Sequence, residues 1–221
     1  MKGTDVTERL GDCCAGFPWD VRMELYGRKE FFVQWSRTGS DLLVKTSDYI
    51  SDAQDSVLRG IALMVCRRMQ GKVASLPQEF FDLVRSDQFI VAKRPIYVKR
   101  SRNLTCSDIG RDCAIFDSVQ RLLDCGLLSE SDIDNSYFSW TKGDPKRRVG
   151  FCSTMFRVVG ISSILDDSNV PDSVRDYVVY HECLHLRQKF RIPHNAHTGL
   201  FREWEHRFPD WQTAEAYLSR L

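Results

Sequence analysis

The five histidines of this 221-residue chain all lie between positions 181 and 206, and two of them bracket a glutamate in His181-Glu182-Cys183-Leu184-His185. Residues four apart on an α-helix stand one turn above each other on one face, so two imidazoles at this spacing can converge on a single tetrahedral cation. The surrounding stretch, YVVYHECLHL, is apolar. Uncoordinated imidazoles and a carboxylate would be costly to bury there. Spacing and setting together predict one zinc ion held by His181 and His185. Glu182 would then be the general base, taking a proton from zinc-bound water and returning it to a leaving group.

Catalytic zinc takes three protein ligands and keeps one position open, so a third donor is required downstream. The longer spacing HExxHxxGxxH fails, because Gln188 and Arg191 occupy the glycine and third-histidine positions. His194, His197, His206, Glu203 and Glu205 remain. Counting from His197, the aromatic residues Phe201, Trp204, Phe208 and Trp211 recur at helical spacing and mark a buried face. His197 shares that face, whereas His206 lies about half a turn away and should meet solvent. The helical reading favours His197 and leaves Glu205 and His194 open. Arg157, Tyr177 and Tyr137 are candidates for substrate or oxyanion contacts.

The elements that must position these groups can be read from periodicity. Pro171 to Gln188 is helical, with Val174, Val178, His181 and His185 on one face. A following helix is expected from about Ala196 to Phe208, stopped by Pro209. Upstream, YFSW and the longer FCSTMFRVVGIS read as strands flanking a loop at Thr141 to Gly150, and FRVVGIS is an edge onto which an extended peptide could add by backbone pairing. Nearer the N-terminus, Glu30 to Thr46 reads as a hairpin around Thr-Gly-Ser. Helices are expected over Asp52 to Met69, stopped by Gly71, over Pro77 to Arg85, and around Phe116 to Asp124, with Gly126 as the cap.

Composition narrows the setting. A length of 221 residues and 43% hydrophobic content allow a sizeable core. The opening MKGTDVTERL carries charges, and no run of about 18 uncharged apolar residues occurs, so a soluble cytoplasmic protein without membrane contact is expected. Eight cysteines without a CxxC pair read as reduced thiols, mostly core residues, rather than a zinc ribbon. The formal net charge of +1 gives no global preference for nucleic acid. Locally, Lys93, Arg94, Lys99, Arg100 and Arg102 form a basic run that is a candidate DNA contact. Lys142, Lys146, Arg147 and Arg148 form a second run.

Four stretches together carry a family resemblance: RVGFCS at Arg148 to Ser153, ISSILDDSNVPDSVRDYVVYHECLHL, AHTGLFREW, and FPDWQTAEAYL. With them the chain resembles the SprT-like and YgjP-like zinc-dependent metallopeptidases of the zincin group over roughly its last third. Val149 and Phe151 stand where those families carry tryptophan and serine. The resemblance implies His181, His185 and His197 as zinc ligands and Glu182 as the catalytic glutamate. It also implies an α+β, zincin-like fold: a small twisted, mostly antiparallel sheet packed on the HExxH helix, with additional N-terminal helices.

The expected organisation is an N-terminal hairpin-plus-helices subregion over 1–130 and a catalytic core over 131–221. The expected function is peptide-bond hydrolysis on a protein or peptide substrate. The alternatives are a nucleotide pyrophosphatase of YgjP type with Arg148 and Arg157 as phosphate clamps, or a non-catalytic nucleic-acid-binding protein with structural zinc.

Overall fold

The computed structural model describes residues 3–143, 148–191 and 197–221, and the chain divides into two compact units, Met1–Phe89 and Ile90–Leu221. Both are mixed α+β.

In the first unit, β1 (Thr4–Asp5) precedes a 3-10 segment at Thr7–Cys14 and then come β2 (Asp20–Tyr26), β3 (Val33–Thr38) and β4 (Asp41–Ser47). The expected hairpin is β3 and β4, antiparallel, with Gly39 in its turn at φ 60°, a left-handed conformation that favours glycine. β4 buries alternate residues Leu42, Val44 and Thr46, the period-2 signature of a strand with one face on the core. β2 pairs in parallel with β4, giving the order β1-β2-β4-β3. Two expected helices follow as α1 (Asp55–Met69) and α2 (Gln78–Val84). Leu58, Ile61, Ala62, Val65 and Cys66 of α1 have no exposed surface.

The boundary between the compact units falls in the first turn of α3 (Asp87–Arg100). The physical reason lies in α4 (Ile115–Asp124), whose Ile115, Val119 and Leu122 belong to the same core as the later helices. Short α5 (Glu130–Ile133) follows, opened by a capping box between Ser129 and Asp132. The sheet of this unit comprises β5 (Tyr137–Trp140), β6 (Gly150–Ser153) and β7 (Val158–Ile161), ordered β5-β7-β6. β5 runs parallel to β7, and β6 runs antiparallel to it. Each sheet is therefore mixed rather than mostly antiparallel.

The run FCSTMFRVVGIS is two strands. It turns at Thr154 to Arg157, where Arg157 takes a left-handed φ of 51°. Consequently FRVVGIS is the central strand and not an edge. Helix α6 (Asp172–Arg187) carries the motif, and α7 (Gly199–Glu205) and α8 (Trp211–Leu218) complete the unit. Pro209 and a left-handed Asp210 separate α7 from α8, breaking what the aromatic spacing alone made one stripe. Among the described residues no helix is long and apolar enough to cross a membrane. All eight cysteines are free thiols, but only Cys14, Cys66 and Cys183 are buried.

Candidate metal centre

α6 is more than amphipathic: Val174 through Tyr180 and Glu182 through Leu186 are all buried, as in a helix at the centre of a core. Apart from Glu182, its charged side chains are therefore paired. Arg175 donates to Asp172 at 2.9 Å and to the Leu165 carbonyl at 3.0 Å. Arg121 of α4 holds Asp176 through two bonds of 2.8 and 2.6 Å, and Arg187 holds Asp132 through two of 2.8 and 2.7 Å. These paired, planar contacts fix both the rotation of α6 and its height against α4 and α5. The stretch between α3 and β5 thus supplies anchors for the motif helix, a role not visible in its sequence.

With α6 so held, His181 and His185 present their rings on one face, and His197 completes a triangle. All three ring-centroid separations are 5.1 Å. One ring nitrogen of each lies within 4.8 Å of the other two. The Nε2 atoms of His181 and His197 are 3.3 Å apart. A tetrahedral zinc with bonds of about 2.0–2.1 Å sets nitrogens about 3.3 Å from each other, so this pair already stands at ligand spacing. His197 reaches the triangle from just before α7 rather than from within it. Thr198 is the N-cap, its hydroxyl accepting from the Phe201 N–H at 3.2 Å. His194 lies outside the described residues.

Phe201 is the platform under the triangle. It is fully buried, and its ring centroid sits 5.1, 4.7 and 4.8 Å from those of His181, His185 and His197. Glu205, at the end of α7, stands outside the triangle: its carboxylate accepts from His181 Nδ1 at 2.6 Å. That bond puts the proton on Nδ1 and leaves Nε2 with its lone pair toward the triangle. Burial alone would lower the His181 pKa, but the bond to Glu205 together with the charges of Glu182, Glu205 and Glu215 outweighs it and raises the value. Conversely, burial would raise Glu205, and His181 holds it below the usual range. Tyr177 is buried, and its hydroxyl engages Glu205 at 3.3 Å and Glu215 at 3.0 Å, which with burial pushes its pKa up. It therefore stands behind His181 as a donor to carboxylates.

Glu182 lies beside the triangle, and among the described residues no hydrogen bond or ion pair engages its carboxylate. Burial pushes its pKa up to about 7, with His181 and Arg148 pulling the other way. Room for this side chain comes from β6: a Cβ on Gly150 would stand 2.7 Å from Glu182 Oε1. A cavity of about 340 Å³ opens over His181 and Glu182, with Val149, Val178 and Leu218 as apolar wall. Glu205, Glu215 and Arg148 give it its charge.

The other expected contacts lie elsewhere. Arg157 donates to the carbonyls of Asp134 at 2.7 Å and Asp132 at 2.8 Å, so its guanidinium ties the β6–β7 turn to α5. Tyr137 opens β5, and burial followed by Cys106 raises its pKa. His206 is exposed and stacks on Trp211 at 4.1 Å. In the basic run, Lys93 is buried and Arg94 donates to the carbonyls of Phe156 and Asn135, while Lys99 and Arg102 are exposed. The run is therefore not one solvent-facing strip. Lys146 and Arg147 lie outside the described residues. Comparison with protein-family models, with curated proteins and with solved structures finds no match.

Proposed function

We propose that this chain is a zinc-dependent hydrolase of peptide bonds, with His181, His185 and His197 as the metal ligands and Glu182 as the general base. The observation that carries this reading is the convergence of three imidazoles at equal spacing, beside a buried carboxylate with no partner among the described residues. Three imidazoles form a donor set suited to catalytic zinc, and the exposed position of His197 leaves an approach open. When bound, the ion supplies Lewis acidity toward a carbonyl and acidifies a water.

The chain's own residues do the rest. Glu205 holds His181 in the tautomer that offers Nε2. Glu182, raised by burial to about 7, can both take a proton from water and give it to the departing amine near neutral pH. β6 lies at an edge of its sheet, and its Gly150 abuts Glu182, so a peptide strand pairing there would run past the base. The arrangement of one HExxH helix against a small sheet fits the zincin-like fold that the sequence resemblance implies.

Charge favours a peptide over a nucleotide. Among the described residues, the carboxylates of Glu182, Glu205 and Glu215 line the cavity against the guanidinium of Arg148. A polyphosphate would meet repulsion there, and Arg157, the second expected clamp, is engaged with backbone carbonyls. The test is Glu182→Gln in zinc-loaded protein, assayed on casein and on nucleoside triphosphates side by side. Casein cleavage should fall by roughly 10²–10⁴-fold while zinc stays stoichiometric. Undiminished cleavage with zinc bound would refute catalysis at this site, and triphosphate turnover that depends on Glu182 would move the assignment to the nucleotide reading.

A further inference from the structure

The cavity of about 340 Å³ over His181 and Glu182 has room for more than the reacting bond. At the small end of the roughly 300–1,000 Å³ range of ligand pockets, it suits one long side chain. α6 contributes Val178 to its lining, the start of β6 contributes Val149 and Gly150, and α8 contributes Glu215 and Leu218. Three positions apart on a helix, Glu215 and Leu218 share one face of α8.

The charged groups of this cavity have different duties. Glu205 is taken up by His181, whose Nδ1 it meets at 2.6 Å. Glu182, 6% exposed and without a hydrogen bond or ion pair among the described residues, faces the cavity as the reacting carboxylate. Arg148 donates from Nε to the Gly150 carbonyl at 2.9 Å and lies over the Phe151 ring, so it is held on β6. Glu215 is exposed, and among the described residues no ion pair engages it; its hydrogen-bond partner is the Tyr177 hydroxyl at 3.0 Å. That hydroxyl has one proton and also faces Glu205 at 3.3 Å. One neutral donor thus serves two anions, and a cation would satisfy them better.

We propose, resting on the peptide-hydrolase reading above, that this cavity receives an arginine or lysine side chain of the substrate, with Glu215 as the specificity-determining residue. Val149, Val178 and Leu218 pack along the methylene stem while the charged head reaches Glu215. A guanidinium can hold a carboxylate through two parallel bonds, which ranks arginine above lysine. Glu182 also fixes which residue is read. It hands its proton to the departing amine, so the cavity it lines is the one nearest the amine half of the substrate. The preferred cut is therefore before a basic residue rather than after one.

The experiment uses the full, zinc-loaded chain and two fluorescein-labelled peptides of glycine, alanine and leucine. They are identical except for one central arginine or, in its place, the neutral isostere citrulline. The arginine peptide should exceed its partner by roughly tenfold in kcat/KM, with the cut placed before the arginine by mass spectrometry. Equal values, or a cut after the arginine, overturn the proposal. Glu215→Gln keeps an acceptor for Tyr177 and removes the charge, so it should bring the ratio close to one. An unaltered ratio, or an equal loss on both peptides, takes the role away from Glu215. Both peptides are also titrated by fluorescence anisotropy onto zinc-loaded Glu182→Gln protein, which reads the cavity without turnover. There arginine should bind roughly tenfold tighter than citrulline, by a margin that shrinks as salt rises. Equal binding overturns the proposal. Absence of cleavage by the parent chain, with the arginine preference intact in binding, counts against the hydrolase reading and leaves the basic-side-chain site standing.

Discussion

In the Ile90–Leu221 unit three imidazoles stand at equal separations on Phe201, and one is turned to its working tautomer by Glu205. In the Met1–Phe89 unit three thiols, those of Cys13, Cys14 and Cys66, touch in a row, brought together by packing of the 3-10 segment on α1. In the first set one donor, His181, is oriented by a hydrogen bond to a group outside the triangle. The second is merely close, and burial raises the pKa of all three thiols. Imidazoles held by an outer hydrogen bond already offer their lone pairs, whereas buried thiols brought together by packing keep their protons and behave as core side chains.

The largest expected effect separates the units directly. Chelating zinc from the loaded protein should remove about 3 kcal/mol of stability at a free-metal level of some hundredfold over Kd. Hydrogen exchange should register that loss in α6 and α7 and leave α1 and β4 unchanged. An equal loss in both units would erase the contrast.

A smaller effect isolates the outer bond. Glu205→Ala removes no proposed ligand, yet should weaken zinc binding by ~10–100-fold, measured by competition with a chromophoric chelator. Unchanged affinity would mean that packing on Phe201 alone sets the geometry of the triangle.

The smallest effect asks whether hydrogen-bond organisation extends beyond the metal centre in the same unit. Asp166 accepts from the backbone N–H groups of Arg111, Asp112 and Cys113, which overcome its burial and hold its pKa below the usual range. A carboxyl lowered in the folded state contributes stability above its unfolded pKa of about 3.9, and the contribution disappears as pH falls through the folded value. Asp166→Asn should therefore cost about 1 kcal/mol at pH 7 and flatten the acid limb of the stability profile, as followed by urea denaturation from pH 7 to pH 3. A parallel downward shift at every pH would count against this assignment.

How much of this was legible in the sequence depends on the range of each interaction. His181, Glu182 and His185 are visible because helical spacing alone brings them together, and the hairpin at β3–β4 is visible because its turn carries Gly39. His197 was found through the aromatic stripe, but its place before α7 was not, since Thr198 as N-cap is a local signal that the stripe overrode. The β6–β7 break was hidden because Arg157, not glycine, takes the left-handed position. Glu205 was read as a rival ligand, since no pattern tells a donor that reaches the metal from one that stops at Nδ1 of another ligand. The anchors Arg121 and Asp132 act across 55 residues each, beyond any periodicity.

The seven-residue helix α7 is separated from His197 only by its N-cap Thr198 and ends in Glu205. Because a helix this short moves as a rigid rod, any tug on one end is delivered to the other. Swinging it outward would withdraw the third imidazole and at the same moment free His181 to change tautomer. Any grip on a cation here would thus be a latch with two teeth on one bar, released together rather than one after the other.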